Sequence, residues 1–173
     1  MPGVSENLIG KQLGPFTLVK QIGEGGGGSV YLAEQSLPVK RQVALKILKL
    51  GLDTKSVIAR FEAERQTLAR MDHPHIASVI DAGATNEGRP YFVMEYVAGD
   101  PVTNYSASRQ LSIEERLKLF IRICRAIEHA HQKGIIHRDL KPYNLLVRAP
   151  ERRSVPSVID FAVAQPLIPI IAL

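Results

Sequence analysis

The sequence predicts an α+β fold, with a β-rich first half followed by a second half that begins as helix. Three observations support this prediction. Alternating segments flank a run of glycines near the N-terminus, a long amphipathic segment with a helix-capping signature starts at residue 112, and two short β-like segments follow it. A chain of 173 residues fits one ordinary domain with a core of its own.

The first half predicts five strands and one helix. Residues 15–35 have the pattern of strand, glycine turn and strand, and residues 41–50 predict a third strand. Residues 54–71 carry apolar side chains at helical spacing. Residues 73–97 then predict two strands joined by a Gly-Arg-Pro turn.

The second half begins with the clearest helix of the sequence. Ser112 and Glu115 form an S-x-x-E capping box at its start, and Gly134 is expected to end it. Two short strands, NLLV and SVID, are expected after it. The apolar stripe expected to face the core consists of Ile113, Leu117, Phe120, Ile121, Cys124, Ile127 and His131.

Composition limits the class of protein. The chain is 45% hydrophobic and 23% charged, as in soluble globular proteins, and its net charge of +5 is spread without a basic run. This pattern argues against a nucleic-acid partner. Cys124 is the one cysteine, and we expect a buried structural thiol in a reducing compartment. No segment approaches the roughly 20 apolar residues of a membrane span, and no signal peptide is visible, so a cytoplasmic location is expected.

Two charged residues interrupt apolar patterns. Lys46 lies in a predicted apolar strand, and Glu64 lies on the apolar stripe of the predicted helix 54–71. An unpaired buried charge is costly, so the pattern suggests that the two residues pair. The alternative is that each side chain reaches solvent independently.

The glycine run IGEGGGGSV contains G-x-G-x-x-G at Gly23, Gly25 and Gly28. A dinucleotide-binding fold needs a helix directly after these glycines, whereas the β-like Ser29–Leu32 follows here. The G-K-[ST] ending of the other phosphate loop is absent as well. A glycine hairpin remains, either a flexible turn or a loop whose backbone can approach phosphates.

The stretch HRDLKPYN, residues 137–144, is a polar loop between apolar segments, and Pro142 is expected to prevent a helix there. Asp139 could accept a proton, Lys141 could neutralise a phosphate, and Asn144 with Asp160 could bind Mg²⁺. A plain surface loop is the alternative.

A zinc site is disfavoured by the positions of the histidines. His129 and His131 are two residues apart on a helix and face different directions. His73 and His75 have no cysteine partner.

Taken in order, these motifs resemble the eukaryotic-like protein kinase family, and most closely its bacterial serine/threonine members. The matching stretches are GEGGGGSV for the glycine-rich loop, VALK for the lysine strand, FEAERQTLARMDHPHI for the glutamate helix, MEYV for the hinge, HRDLKPYN for the catalytic loop and DFA for D-F-G. The resemblance spans roughly residues 12–165. It implies a kinase-like fold with a complete β-rich small lobe, containing one main helix, and the beginning of the helical large lobe.

The resemblance also implies domain boundaries. These are a flexible lead-in at 1–11, a small lobe at 12–94, a hinge at 95–99, a partial large lobe at 100–164 and an apolar tail outside the family at 165–173.

The function implied by the resemblance is phosphoryl transfer from Mg-ATP to Ser/Thr hydroxyls of a protein substrate. Asp139 would be the catalytic base, with Lys141 near the transferred phosphate. Lys46 would hold the α- and β-phosphates and pair with Glu64, and Asn144 and Asp160 would hold Mg²⁺. The nucleotide would contact Ile22, Gly23, Gly25, Gly28, Val30, Ala44, Lys46, Glu64, Met94, Glu95, Val97 and Leu146. Leu68, His137 and Phe161 match the family's internal hydrophobic spine.

Two departures from the family pattern bear on activity. Ala162 stands where the family has the glycine of D-F-G, and the activation segment and A-P-E motif do not follow. We therefore expect a truncated kinase, with the last residues read from a shifted frame as a hypothesis. The alternatives are a nucleotide-binding or partner-docking module without phosphotransfer, and an inactive gene fragment.

Overall fold

The computed structural model describes residues 8–25, 27–49, 71–150, 153–161 and 165–166. The chain divides into two compact units. The N-terminal unit comprises Met1–Thr54 and Ile80–Tyr96, and the C-terminal unit comprises Lys55–Val79 and Val97–Leu173. The predicted helix 54–71, with Glu64 and Leu68, lies outside the described residues except for its last position.

The N-terminal unit is built on a six-stranded sheet in the order β1-β2-β3-β4-β6-β5. Strands β1 to β4 follow one another in sequence, and each pairs antiparallel with the next. All the strands predicted for this half are present. Their bounds are β1 Gln12–Leu13, β2 Phe16–Gly25, β3 Gly28–Gln35, β4 Arg41–Leu48, β5 Val79–Ala84 and β6 Pro90–Glu95.

The core of the N-terminal unit lies against one face of this sheet. Val43, Leu45 and Ile47 alternate along β4 and join this core, and all three are fully buried. The intervening residues Ala44, Lys46 and Leu48 are buried as well. Because successive side chains of a strand point to opposite faces, Lys46 lies on the side of β4 away from this core.

The described part of the expected flexible lead-in is attached to the sheet. Leu8 is buried in the core. The backbone N–H of Gly10 donates to the carbonyl of Leu18 (2.7 Å), and the N–H of Leu18 donates to the carbonyl of Lys11 (3.0 Å). These bonds join residues 10 and 11 to β2.

In its described residues, the C-terminal unit combines two helices with short strands. Three strands pair in the order β10-β9-β7, and β11 pairs with β8. The predicted strands in NLLV and SVID are present as β9 and β10. The bounds are β7 Asp100–Pro101, α1 Val102–Ser108, α2 Ile113–Gln132, β8 Ile135–Ile136, a 3₁₀-helix Pro142–Asn144, β9 Leu145–Arg148, β10 Val155–Val158 and β11 Gln165–Pro166.

Helix α2 begins and ends as the sequence predicted. The N–H of Glu115 donates to the Ser112 hydroxyl (3.2 Å), and the N–H of Ser112 donates to the Glu115 carboxylate (2.8 Å). This backbone hydrogen bond from Ser112 lowers the pKa of Glu115, since it favours the ionised carboxylate. At the other end Gly134 has φ +75°, a conformation that glycine adopts at little cost.

The predicted core face of α2 is wrong. The buried residues of the helix are Leu119, Ile123, Ala126 and Ala130. The last three pack with Ile76, Val158 and Phe161, and Leu119 packs with Tyr105 and Val147. The predicted stripe is largely exposed, with Ile113 79% and Phe120 61% accessible. Cys124 is exposed too, so the expectation of a buried thiol is also wrong. Ala126 and Ala130 explain the error, because small side chains mark a weak hydrophobic stripe yet let neighbouring elements pack closely.

Candidate functional site

The glycine run forms the hairpin between β2 and β3, with Gly25 paired to Gly28. Gly28 has φ +143°, and a Cβ atom there would overlap the carbonyl oxygen of Ile47. A Cβ atom at Gly25 would meet nothing within 4 Å. Glycine is therefore required by packing at Gly28, whereas Gly25 leaves open space above the hairpin.

We expect Gly28→Ala to destabilise the chain by about 1–3 kcal/mol, because β-carbon overlap and a positive φ must both be relieved. Gly25→Ala is the matched control and should change the free energy of unfolding by less than about 0.5 kcal/mol. Urea denaturation of the two variants measures the difference. Equal losses in both would contradict the described hairpin.

Lys46 lies beneath this hairpin. It pairs with Val30 on one side and Phe92 on the other, and only 6% of the residue is exposed. A Cβ atom at Gly27 would be 3.8 Å from the Lys46 Nζ, so the ammonium group faces the glycine turn. The alternative of a lysine that simply reaches solvent does not fit this burial. Its pairing with Glu64 stays a prediction, because Glu64 lies outside the described residues.

The other predicted nucleotide residues are divided between the two units. Ala44 pairs with Met94 across β4 and β6, and both are buried. The remaining positions range from exposed to buried: Ile22 is exposed on β2, Gly23 pairs with Val30, Glu95 is half-buried, and Val97 is buried and Leu146 half-buried in the C-terminal unit.

The loop 137–144 brings three predicted residues together. The Lys141 Nζ lies 2.7 Å from the Asp139 Oδ2. The Asn144 Nδ2 donates to the Asp139 backbone carbonyl (2.8 Å) and reaches the same Oδ2 at 3.4 Å. Contrary to the expectation that Pro142 prevents helix, it starts the 3₁₀-helix, where a missing N–H costs nothing.

Electrostatics keep Asp139 ionised. The hydrogen bond from the Lys141 ammonium is the largest effect lowering the pKa of this carboxyl, and the charge of Lys141 and the Asn144 amide act in the same direction. Both side chains of the ion pair are more than half exposed, so the pair adds little stability. Its effect is to orient a carboxylate that stays negative at neutral pH.

Asp160 is placed beside this loop by hydrogen bonds of the preceding residue. The N–H of Ile159 donates to the Asn144 carbonyl (2.9 Å), and the His137 Nε2 donates to the Ile159 carbonyl (2.8 Å). Asp160 follows directly, two residues after the end of β10.

The backbone is strained on both sides of the site. Arg138 has φ +63° and Asp160 has φ +69°. Gln110 is the third non-glycine residue with positive φ among those the structure describes. Such conformations cost of order 1–3 kcal/mol in non-glycine residues and cluster where function requires a fixed geometry.

His137 holds the loop to the strand end, a role that sequence reasoning did not assign. Its Nδ1 accepts the N–H of Asp139 (3.3 Å) while its Nε2 donates to Ile159. Its ring also contacts Phe161 edge-on, with centroids 4.6 Å apart. The one signal in the sequence was the pairing of His137 with Phe161 in the family's hydrophobic spine. Ala162 lies outside the described residues.

The side chains present fit a magnesium ion and a polyphosphate chemically. Because the Asn144 Nδ2 donates to a carbonyl, its Oδ1 is the atom left for a cation, and Asp160 supplies a carboxylate. Mg²⁺ binds through one or two protein oxygens together with substrate phosphates. A metal site of three or more His, Cys, Asp or Glu side chains is not found among the residues that the structure describes.

Comparisons with known proteins identify the family. The model of the family described as "Protein kinase domain" matches residues 16–169. The chain is 39% identical over 163 residues to the serine/threonine-protein kinase PrkC of Bacillus subtilis, covering 92% of this chain and 24% of PrkC. It is 36% identical over 160 residues to the serine/threonine-protein kinase Pkn1 of Myxococcus xanthus, covering 91% of this chain and 23% of Pkn1.

Comparison with solved structures indicates the same family. A crystal structure of the PknI kinase domain of Mycobacterium tuberculosis superimposes with a TM-score of 0.74 at 30% identity, covering 91% of this chain and 63% of that one. A double mutant of the same domain gives a TM-score of 0.77 at 31% identity, covering 91% of this chain and 65% of the other.

The chain thus belongs to the protein kinase domain family, and its relatives include bacterial serine/threonine kinases. The predicted α+β kinase fold is confirmed, with the β-rich small lobe and the start of the large lobe. The chain spans about a quarter of the length of these curated relatives. In the described part of the chain, no helix is long and apolar enough to cross a membrane.

Proposed function

We propose that the chain is the nucleotide-binding and catalytic-loop portion of a protein serine/threonine kinase. It transfers the γ-phosphoryl group of Mg-ATP to Ser or Thr hydroxyls of a protein substrate in the cytoplasm. The observation that carries the proposal is the assembly of Asp139, Lys141 and Asn144 in one loop, with an ionised Asp139 carboxylate.

The proposed roles follow from the chemistry of each group. Lys46 and the glycine hairpin would hold the phosphates, Asn144 and Asp160 would hold Mg²⁺, and Lys141 would neutralise charge on the transferred group. ATP supplies the phosphoryl group. Phosphoryl transfer depends mainly on positioning and charge neutralisation. An Asp139 with a lowered pKa suits orienting the acceptor hydroxyl in such a reaction.

The domain boundaries proposed for this function are those of the motifs, with a small lobe at 12–94, a hinge at 95–99 and a partial large lobe at 100–164. The change from the N-terminal to the C-terminal unit after Tyr96 supports the position of the hinge, whereas Lys55–Val79 is grouped with the C-terminal unit and not with the rest of the proposed small lobe.

A second candidate function is nucleotide binding without phosphotransfer. The exposed apolar residues of α2 favour a role in partner docking beside it, because Ile113, Leu117, Phe120 and Ile121 lie open in the part of the chain that is described. Partner docking through such a surface needs no catalysis.

Thermal denaturation of the chain with increasing Mg-ATP tests nucleotide binding, which both candidates require. A ligand that binds the folded state alone stabilises it by about 2.7 kcal/mol at a concentration 100 times its Kd, so the melting temperature should rise. Lys46→Met should remove most of the rise. Lys49→Met is the matched control, because Lys49 is about half exposed and pairs with Glu24 (3.6 Å). A melting temperature that does not change with Mg-ATP concentration would overturn the proposal.

A further inference from the structure

Three histidines to which the kinase resemblance assigns no role lie together in the C-terminal unit. The ring centroid of His73 is 5.2 Å from that of His129 and 5.6 Å from that of His75. His129 belongs to α2, and the other two belong to the segment Met71–Ala77, which precedes β5. We call His73, His75 and His129 the histidine cluster.

Hydrogen bonds determine which ring nitrogen carries the proton in His73 and His75. The backbone N–H of His75 donates to the His73 Nδ1 (3.1 Å), so this nitrogen is unprotonated and His73 carries its proton on Nε2. The His75 Nδ1 donates to the Pro156 carbonyl (2.8 Å), since a carbonyl only accepts. A second proton on His73 would have to bind Nδ1, where it would face the N–H of His75 and break that hydrogen bond.

His129 lies against His73 from the side of α2. Its Nε2 is buried and makes no hydrogen bond within the described residues. Because the two ring centroids are only 5.2 Å apart, a positive charge on His129 would repel a positive charge on His73.

The same segment is anchored by its backbone and core residues. The N–H of Val158 donates to the His75 carbonyl (2.8 Å), and the N–H of Ala77 donates to the Val158 carbonyl (2.9 Å). Met71 and Ile76 are buried in the core that includes Ile123 of α2. The cluster thus lies at the point where the segment packs on α2 and β10.

We propose that the histidine cluster is a proton-sensitive clamp. With neutral rings it holds Met71–Ala77 against α2 and β10, and proton uptake weakens this attachment. The inference rests on hydrogen-bond geometry and is independent of phosphotransfer.

The direction of the pH dependence follows from the groups around His73. Burial lowers its pKa below the ordinary 6.5, and His129 and His75 lower it further, whereas Asp72 raises it. Asp72 and His75 belong to its own segment and His129 to α2, while the neutral Pro156 carbonyl of β10 contacts His75 and not His73. Below pH 6.5 the unfolded chain takes up a proton that the folded chain excludes, so stability falls as the pH falls.

The test is urea denaturation of the whole chain from about pH 7.5 to about pH 5.5, the range where histidine titrates. The ratio of unfolded to folded protein should rise several-fold on acidification, up to roughly tenfold per pH unit for each proton excluded. His73→Asn keeps an acceptor near the Nδ1 position and does not titrate, so it should remove most of the rise. His131→Asn is the matched control, because His131 is exposed on α2, and it should keep the rise.

A second measurement covers the case in which His73→Asn does not fold. Long-range ¹H–¹⁵N spectra of the unmodified chain report the protonated nitrogen of each histidine and its titration. We expect an Nε2-protonated His73 that resists charging, with weaker protection of the Val158 amide against hydrogen exchange at the acidic end. An Nδ1-protonated His73, a His73 that titrates at or above 6.5, or an unchanged pH dependence in His73→Asn would overturn the proposal.

Discussion

Phosphoryl transfer is expected to fall by roughly 10²–10⁴-fold when Asp139 is replaced by Asn, the range that general acid–base groups contribute. The change removes the negative charge that Lys141 and Asn144 orient, while the amide keeps nearly the same shape. Both side chains of the Asp139–Lys141 pair are more than half exposed, so the stability of the chain should change little. Loss of activity without loss of fold would assign Asp139 to the reaction itself.

The measurement is transfer of the γ-phosphate of Mg-ATP to a generic acceptor protein. Asp100→Asn is the matched control, since Asp100 is an exposed carboxylate on β7 and should leave the rate unchanged. Asp139→Asn should also keep the rise in melting temperature with Mg-ATP, because its proposed role is not in holding the nucleotide. Equal activity of the Asp139 variant and the unmodified chain would contradict the proposal of phosphotransfer by this site and leave nucleotide binding as the function.

The second large effect concerns α2. Ile123→Ala should destabilise the chain by about 2–5 kcal/mol, because Ile123 is buried against Ile76, Val158 and Phe161 and its truncation leaves a cavity. Ile121→Ala makes the same chemical change two residues earlier, where 49% of the residue is exposed. It should change the free energy of unfolding by less than about 0.5 kcal/mol, because alanine also favours the helix.

Urea denaturation of both variants at neutral pH measures this contrast. A larger loss for Ile121→Ala than for Ile123→Ala would mean that the stripe predicted from sequence is the packed face, and that the described orientation of α2 is incorrect.

The two ends of α2 could be predicted from sequence, and its buried face could not. Capping depends on residues three apart, such as Ser112 and Glu115, so the signal is local. The choice between two apolar faces depends on which elements pack on the helix, and residues far along the chain such as Ile76 and Val158 provide them. Periodicity alone gives large side chains more weight than Ala126 and Ala130.

In the candidate site too, the sequence predicted what depends on a local motif and missed contacts between distant residues. Asp139, Lys141 and Asn144 lie within six residues, so one motif was enough to predict them together. The bond from His137 to Ile159 joins positions 22 residues apart and has no local signature. The contact between His73 and His129 likewise has no local signature, because it joins two segments that are distant in sequence.

The two bonds of the His137 ring have a mechanical consequence. One nitrogen binds the residue whose carboxylate is proposed to meet the acceptor, and the other binds the residue before the proposed metal ligand Asp160. The rigid imidazole ring thus fixes the spacing between the backbone of Asp139, the proposed proton acceptor, and the residue next to Asp160, the proposed metal ligand. The His137 ring packs edge-on against Phe161, which is buried in the hydrophobic core. The geometry of the exposed loop therefore depends on the buried core, and a substitution that loosens the core should misalign Asp139 and Asp160 together.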